Sequence, residues 1–235
     1  MSDVLDSYPL LLRGAWTTLQ ITLLGAAFAL VMALVVGLAG TARSTVLRAV
    51  NRLYVEFFRG IAALVLMYWF FYALPLLGLR FTPIAAAVLA VGLNYGAYGA
   101  EVVRGSVNAV PRAQWEAACA LNFTAFQRLR RVLLPQATAL MLPPFGNLLI
   151  ELMKATAGVS LVAIADLTFR AKQIQASTGQ TAATFAVILV IYFVIAQALQ
   201  VLVRLAERRT ARMLGRGLPP RPATVKAAAG QAVTP

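Results

Sequence analysis

The chain contains no histidine and a single cysteine, Cys119. The first absence removes imidazole acid–base chemistry and the commonest metal ligand. The second excludes a disulfide framework and a thiolate metal cluster. Charged residues make up only 12% of the chain, and only 8 of them are acidic. A soluble domain carries about 25% charged residues, so an ordinary water-facing surface is excluded. No Gly-x-x-x-x-Gly-Lys-Ser/Thr run occurs, so the chain does not hold ATP by a P-loop. With no histidine, no metal-ligand cluster and no pair of carboxylates on one helix face, a membrane enzyme is a weak reading and no cofactor is expected.

What remains is 235 residues, 60% of them hydrophobic, with a mean hydropathy of +0.77. A bilayer core needs about 20 mostly apolar residues per helix. Five segments qualify and predict an all-α integral membrane protein: residues 17–40, 54–77, 83–103, 135–159 and 182–205. Glu56 and Arg59 make the start of the second interfacial, and Pro143, Pro144, Glu151 and Lys154 interrupt the fourth. Residues 1–15 carry Asp3, Asp6 and Arg13 and lack a basic leader, so they read as an external or interfacial segment before a retained helix. The membrane domain is expected over 16–214, and the Pro/Ala/Gly-rich residues 215–235 read as a disordered cytoplasmic tail.

The net charge is +13. In a soluble protein that would suggest nucleic acid. Here the cations flank apolar spans, so topology and lipid headgroups explain them and no nucleic acid is expected. With five spans and an external N-terminus, Arg43, Arg48, Arg52 and Arg59 fall inside. So do Arg104, Arg112, Arg128, Arg130, Arg131 and the arginines from Arg204 onward. Arg13, Arg80, Lys154, Arg170 and Lys172 remain outside or within spans. That bias places the C-terminus in the cytoplasm. Gly92, Gly96 and Ala100 share one face of the third span. They permit close approach of another helix, either in ordinary packing or from a second subunit.

Between the third and fourth spans lies an amphipathic hairpin, at about 105–135. Pro111 can open a helix at its first position. Trp115, Ala118 and Cys119 line an apolar side, and Arg112 and Glu116 stand at i, i+4. Asn122 breaks this helix, since Asn substitutes for Gly in the left-handed conformation. Thr124 is then an N-cap. Phe126, Leu129, Val132 and Leu133 lie on one side of the second helix, and Arg128, Arg130 and Arg131 on the other. Pro135 marks the entry to the fourth span.

The hairpin resembles the signature of permease subunits of ATP-binding-cassette importers, in the branch for polar amino acids. That signature is Glu-Ala-Ala, three residues, Gly, nine residues, Ile-x-Leu-Pro. Here it reads Glu116-Ala117-Ala118, Asn122 and Val132-Leu133-Leu134-Pro135. Tyr54-Val55-Glu56-Phe57-Phe58-Arg59-Gly60 and Ala100-Glu101-Val102-Val103-Arg104-Gly105 are similar to the same branch. Residues 93–101 and 141–152 are similar to permeases for ectoine and hydroxyectoine. Two stretches depart from the branch. Arg59-Gly60-Ile61-Ala62 stands where Arg-Gly-Thr-Pro is usual, and Lys154-Ala155-Thr156-Ala157 where Lys-Asp-Thr-Ser is frequent.

The resemblance implies a type I importer permease in a bacterial inner membrane. It would work with a second permease copy or paralogue, two cytoplasmic ATPase subunits and an extracellular solute-binding protein. The chain itself would not be an enzyme. The hairpin would be the coupling element, with Trp115, Glu116, Ala117, Ala118, Asn122, Phe126, Arg128, Arg131 and Pro135 as its residues. The plain alternative for the arginines is headgroup binding, at about 1 kcal/mol each. The alternative for the whole protein is a membrane receptor or scaffold that docks a cytosolic protein through the hairpin.

Ionisable groups within a span are functional candidates. Glu151 and Lys154 are either a mutual i, i+3 ion pair or a site for a zwitterion. In the second case Glu151 takes the cation and Lys154 the carboxylate, with Asn94 and Asn147 as hydrogen-bond partners. Glu101 and Arg104 are expected to form a structural ion pair. The aromatic run Tyr68 to Tyr72 reads as lipid anchoring and packing.

Overall fold

Long apolar runs in hydrocarbon must satisfy every backbone polar group internally, which leaves helices as the solution. The computed structural model describes residues 7–42 and 44–213, with the backbone alone for 211–213. Among them every regular element is helical: α1 (Tyr8–Ala39), α2 (Thr45–Gly60), α3 (Ala63–Leu77), α4 (Pro83–Asn108), α5 (Arg112–Ala120), α6 (Ala125–Val162), α7 (Leu167–Thr178) and α8 (Thr181–Met213). Four of these, α1, α4, α6 and α8, are long and apolar enough to cross a membrane. The pair α2 and α3 makes a fifth crossing only as one broken span, bent by 95°. Arg43 and the tail expected at 215–235 lie outside the described residues.

The second span is therefore not the single helix expected over 54–77. It breaks at Ile61 and Ala62, whose backbones are extended. The break falls within Arg59-Gly60-Ile61-Ala62, the stretch where the sequence departs from the Arg-Gly-Thr-Pro pattern. Below it, α2 divides into three faces. Asn51 and Val55 are buried, Val46, Val50, Leu53 and Phe57 are exposed, and Arg48, Arg52, Glu56 and Arg59 line a cavity. Polar groups fasten α2 to its neighbours. Asn51 Nδ2 donates to the Val36 carbonyl at 2.8 Å, and Tyr54 Oη donates to the Leu93 carbonyl at 2.8 Å.

The most extensive helix contact joins α1 to α4. Its cause is the glycine content of both faces. A Cβ on Gly96 would lie 2.8 Å from Met32 Cβ, and one on Gly99 would lie 2.7 Å from Ala33 Cβ. One on Gly37 would lie 2.7 Å from the Ala100 carbonyl. The Gly92, Gly96 and Ala100 face thus packs against α1 of its own chain. Of the two readings of this face, ordinary packing within the chain is the one found; the face is occupied by α1 and not left open for a second subunit.

The fourth span and the second hairpin helix are one continuous element, α6. A π-turn over Leu129–Leu133 precedes Pro135. Pro135 has no N–H to donate, and a locally wider turn absorbs the missing bond. The helix continues through Pro143 and Pro144 and tightens to a 3-10 end at Thr156–Val162.

The connection from α6 to α8 holds α7, a helix of 12 residues and too short to read as a span. Ala163 takes a left-handed conformation, φ 58, and Asp166 caps α7 by accepting from the Phe169 N–H at 2.8 Å. Asp166 is fully buried. Tyr192 Oη lies 3.5 Å from Asp166 Oδ2 and 2.9 Å from Thr168 Oγ1. Thr18 Oγ1 accepts from the Leu167 N–H at 3.2 Å. Gly14 permits the approach, since a Cβ there would lie 2.8 Å from Leu167 Cα. One buried polar cluster thereby ties α1, α7 and α8 together. Burial pushes the Asp166 carboxyl from 3.8 up to about 6, against the N–H groups of Phe169 and Thr168, which hold it down.

Candidate functional site

Two regions carry the sequence-predicted site residues. The first is the hairpin. α5 runs Arg112–Ala120, with Pro111 standing one position before the helix proper. Asn122 takes the left-handed conformation at φ 56, and the Phe123 N–H reaches back to the Ala118 carbonyl at 3.1 Å. Thr124 and Gln127 then form a capping box, at 3.3 and 2.9 Å. These are the devices that end one helix and start the next.

The hairpin is clamped from within. The Arg128 guanidinium sits over the Trp115 ring, 5.8 Å from its centroid, and Nη1 donates to Cys119 Sγ at 2.7 Å. Gln136 Nε2 donates to Gln114 Oε1 at 3.2 Å across the turn. Arg128 therefore braces the two helices and is not a free rim cation. Ala118 is buried at the contact. Glu116, Ala117, Asn122, Arg131 and Pro135 are exposed, and Trp115 and Phe126 present apolar surface. The expected Arg112–Glu116 pair is not made. The ion pairs among the described residues are Arg52–Glu56 and Glu101–Arg104. An exposed i, i+4 pair is worth only about 0.3–0.5 kcal/mol, so its absence costs the hairpin little.

The second region is the break between α2 and α3. A cavity of about 440 Å3 opens there, lined by Arg59, Ile61, Asn94, Tyr95, Tyr98 and Glu151 among others. Asn94 Nδ2 donates to the carbonyls of Phe58, at 2.6 Å, and Ile61, at 2.8 Å. Those carbonyls end α2 and have no partner within the helix. Asn94 is thus the cap of a broken helix. Arg59 lies over the Tyr98 ring, 5.0 Å from its centroid.

Glu151 and Lys154 do not meet. Lys154 lines a separate cavity of about 380 Å3 with Ile150, Met153, Tyr192, Phe193 and Gln197. Residues three apart on a helix are neighbours, but here each side chain turns to its own side of α6. The ion pair considered for them is absent. Asn147 is exposed on α6 and lines neither cavity. The ionic partner that the cavity offers opposite Glu151 is Arg59, which sequence reasoning assigned to topology alone. Its signal was the Arg-Gly stretch at a helix break, which needs the structure to be recognised. The expected pair of Glu101 and Arg104 is present and bidentate, at 3.0 and 2.6 Å.

Residues 25–212 match the family model of the binding-protein-dependent transport system inner membrane component. The chain belongs to that family. It is 43% identical over 209 residues to a probable amino-acid ABC transporter permease protein of Sinorhizobium fredii, covering 86% of this chain and 88% of that one. It is 34% identical over 210 residues to the glutamine transport system permease protein of Escherichia coli, covering 88% and 96%. A crystal structure of an amino acid ABC transporter with histidines superposes with a TM-score of 0.81 at 33% identity, over 87% of this chain and 96% of that one. The all-helical type I importer permease fold is thereby established, and both candidate regions lie within the residues that the family model spans.

Proposed function

We infer that this family member is the membrane permease subunit of an ATP-driven importer for amino acids, and that a zwitterionic amino acid passes the cavity at the α2–α3 break. The carrying observation is that cavity. Irregular backbone at membrane depth is tolerated only where it is buried in protein or lines a water-filled space. Broken helices near the midplane are a recurrent way to build a transport site. The cavity sets one carboxylate, Glu151, and one guanidinium, Arg59, on its lining. Glu151 would receive the ammonium group and Arg59 the carboxylate, with the hydroxyls of Tyr95 and Tyr98 available beside them. Arg59 takes the part that the sequence assigned to Lys154.

The relatives named for glutamine and for amino acids support this substrate class. Neither is named for ectoine, so the likeness of residues 93–101 and 141–152 to ectoine permeases adds no narrower substrate. The arginine bias favours a cytoplasmic hairpin. Its exposed Trp115, Glu116 and Phe126, braced by Arg128, suit docking into a cytoplasmic ATPase subunit. Two such ATPases, a second permease subunit and an extracellular binding protein complete the machine, and ATP hydrolysis belongs to the ATPases. A docking scaffold would need the hairpin but not the cavity.

The test is binding-protein-dependent uptake of radiolabelled glutamine by the assembled complex in vesicles. Glu151→Gln should lower uptake by about tenfold, since it removes the carboxylate that the cavity lining offers to an ammonium group. Lys154→Met should lower it far less. Unchanged uptake by Glu151→Gln would remove the break cavity from the route.

A further inference from the structure

Arg59 lines a second cavity besides the one at the break. This vestibule, about 730 Å3, is bounded by the polar face of α2, the end of α1 at Gly40 and the Glu101–Arg104 turn of α4. Four arginines line it, Arg48, Arg52, Arg59 and Arg104, against two carboxylates, Glu56 and Glu101. The net charge of the lining is thus +2. The commitments of these groups are unequal. Glu101 is held by Arg104 in a bidentate pair at 2.6 Å. Arg52 faces Glu56 at 3.7 Å with both side chains largely exposed, a contact worth little. Among the described residues Arg48 has no carboxylate within 4.0 Å, and Arg59 rests on the Tyr98 ring.

We propose that this vestibule is an electrostatic filter that passes net-neutral or anionic amino acids and disfavours net cations, with Arg59 facing both it and the break cavity. The proposal rests on the reading of the break cavity as part of the route. A zwitterion that leaves Glu151 can keep its carboxylate on Arg59 and then meet Arg48 and Arg52. A second cationic group, as on lysine or arginine, finds Glu101 already occupied by Arg104. What is left to it is Glu56, which shares its charge with Arg52, set against the guanidiniums of Arg48 and Arg59. Clefts lined by one sign of charge between low-dielectric walls focus their field and concentrate the opposite sign.

The field can be read without knowing the substrate. In the assembled complex with Cys119→Ser, a single Ala49→Cys substitution puts a thiol on the vestibule lining. Its rates with an anionic sulfonatoethyl and a cationic trimethylammonioethyl methanethiosulfonate are each normalised to those of 2-mercaptoethanol. At low salt the anionic reagent should be favoured about tenfold, the lower end of focusing effects in clefts. Arg48→Gln should reduce that preference at least about twofold, and 0.5 M salt should largely abolish it. Thr45→Cys is the alternative reporter if Ala49→Cys does not assemble. Equal normalised rates, or a cationic preference, would overturn the filter whatever Glu151 does. An anionic preference combined with unchanged uptake by Glu151→Gln would instead overturn the break cavity as the route, leaving the vestibule a charged surface that filters nothing.

Discussion

Replacing Asp166 by asparagine should stabilise this protein at neutral pH, although Asp166 makes hydrogen bonds and is fully buried. Its carboxyl rests at about 6 in the folded chain, against an ordinary value of 3.8. Desolvation is the main cause, and the N–H groups of Phe169 and Thr168 only partly offset it. A raised folded value means that the folded state holds the proton more tightly than the unfolded state. The associated stability is present below about pH 4 and is lost as the pH rises through about 6. A difference of this size corresponds to about 3 kcal/mol at pH 7. Asparagine keeps an oxygen to accept from the Phe169 N–H and is an equally good N-cap, but it carries no charge to bury. For a chain of this length, about 3 kcal/mol is a shift of roughly 6–12 °C in Tm. The assay is thermal unfolding of the purified protein in detergent from pH 4 to 7.5. Wild type should lose stability relative to Asp166→Asn across pH 4–6, with the gap widest at pH 7. Asp166→Ala removes the cap as well and should regain about 1 kcal/mol less. Parallel pH profiles for wild type and Asp166→Asn would refute the reasoning.

Asn94→Leu leaves the carbonyls of Phe58 and Ile61 without their donor at the helix break. An unsatisfied buried acceptor costs about 1–3 kcal/mol, so a Tm fall of at least about 4 °C is expected, and an unchanged Tm would deny Asn94 its capping role. Gly96→Ala places a methyl 2.8 Å from Met32 Cβ and should destabilise by about 1–3 kcal/mol through forced separation of α1 and α4. Gly105→Ala, with open space around it in the same helix, should instead be neutral or stabilise by up to about 1 kcal/mol. Thermal unfolding of the pair checks both signs.

The sequence already displayed the all-helical class, the crossings built from uninterrupted apolar runs, and the hairpin with its break at Asn122 and its cap at Thr124. Each depends on local chemistry: span length, left-handed tolerance, side-chain capping. The break at Ile61–Ala62 was not legible, because apolar residues continue through it and composition alone cannot distinguish a straight helix from a bent one. The Glu151–Lys154 pair failed for a related reason. Spacing states that two side chains are neighbours on a helix, but the helices packed around them decide which way each turns. Asp166 was the recoverable omission. An Asp directly before a short helical pattern is an N-cap signal, but a helix this short leaves no mark in the pattern of long apolar runs. Arg128 shows the reverse case: it was placed on the correct helix, yet its partners Trp115 and Cys119 became visible only when the hairpin closed.

Glu116 offers the most direct test of the central claim, that a cytoplasmic ATPase drives this permease through the hairpin. It is exposed and takes part in no ion pair among the described residues, so its truncation should not disturb the fold. The measurement is binding-protein-stimulated ATP hydrolysis by the assembled complex carrying Glu116→Ala, with Tm recorded alongside. Loss of stimulation by at least about tenfold at unchanged Tm is the expected result. Full stimulation and full uptake in that variant would contradict coupling through this hairpin.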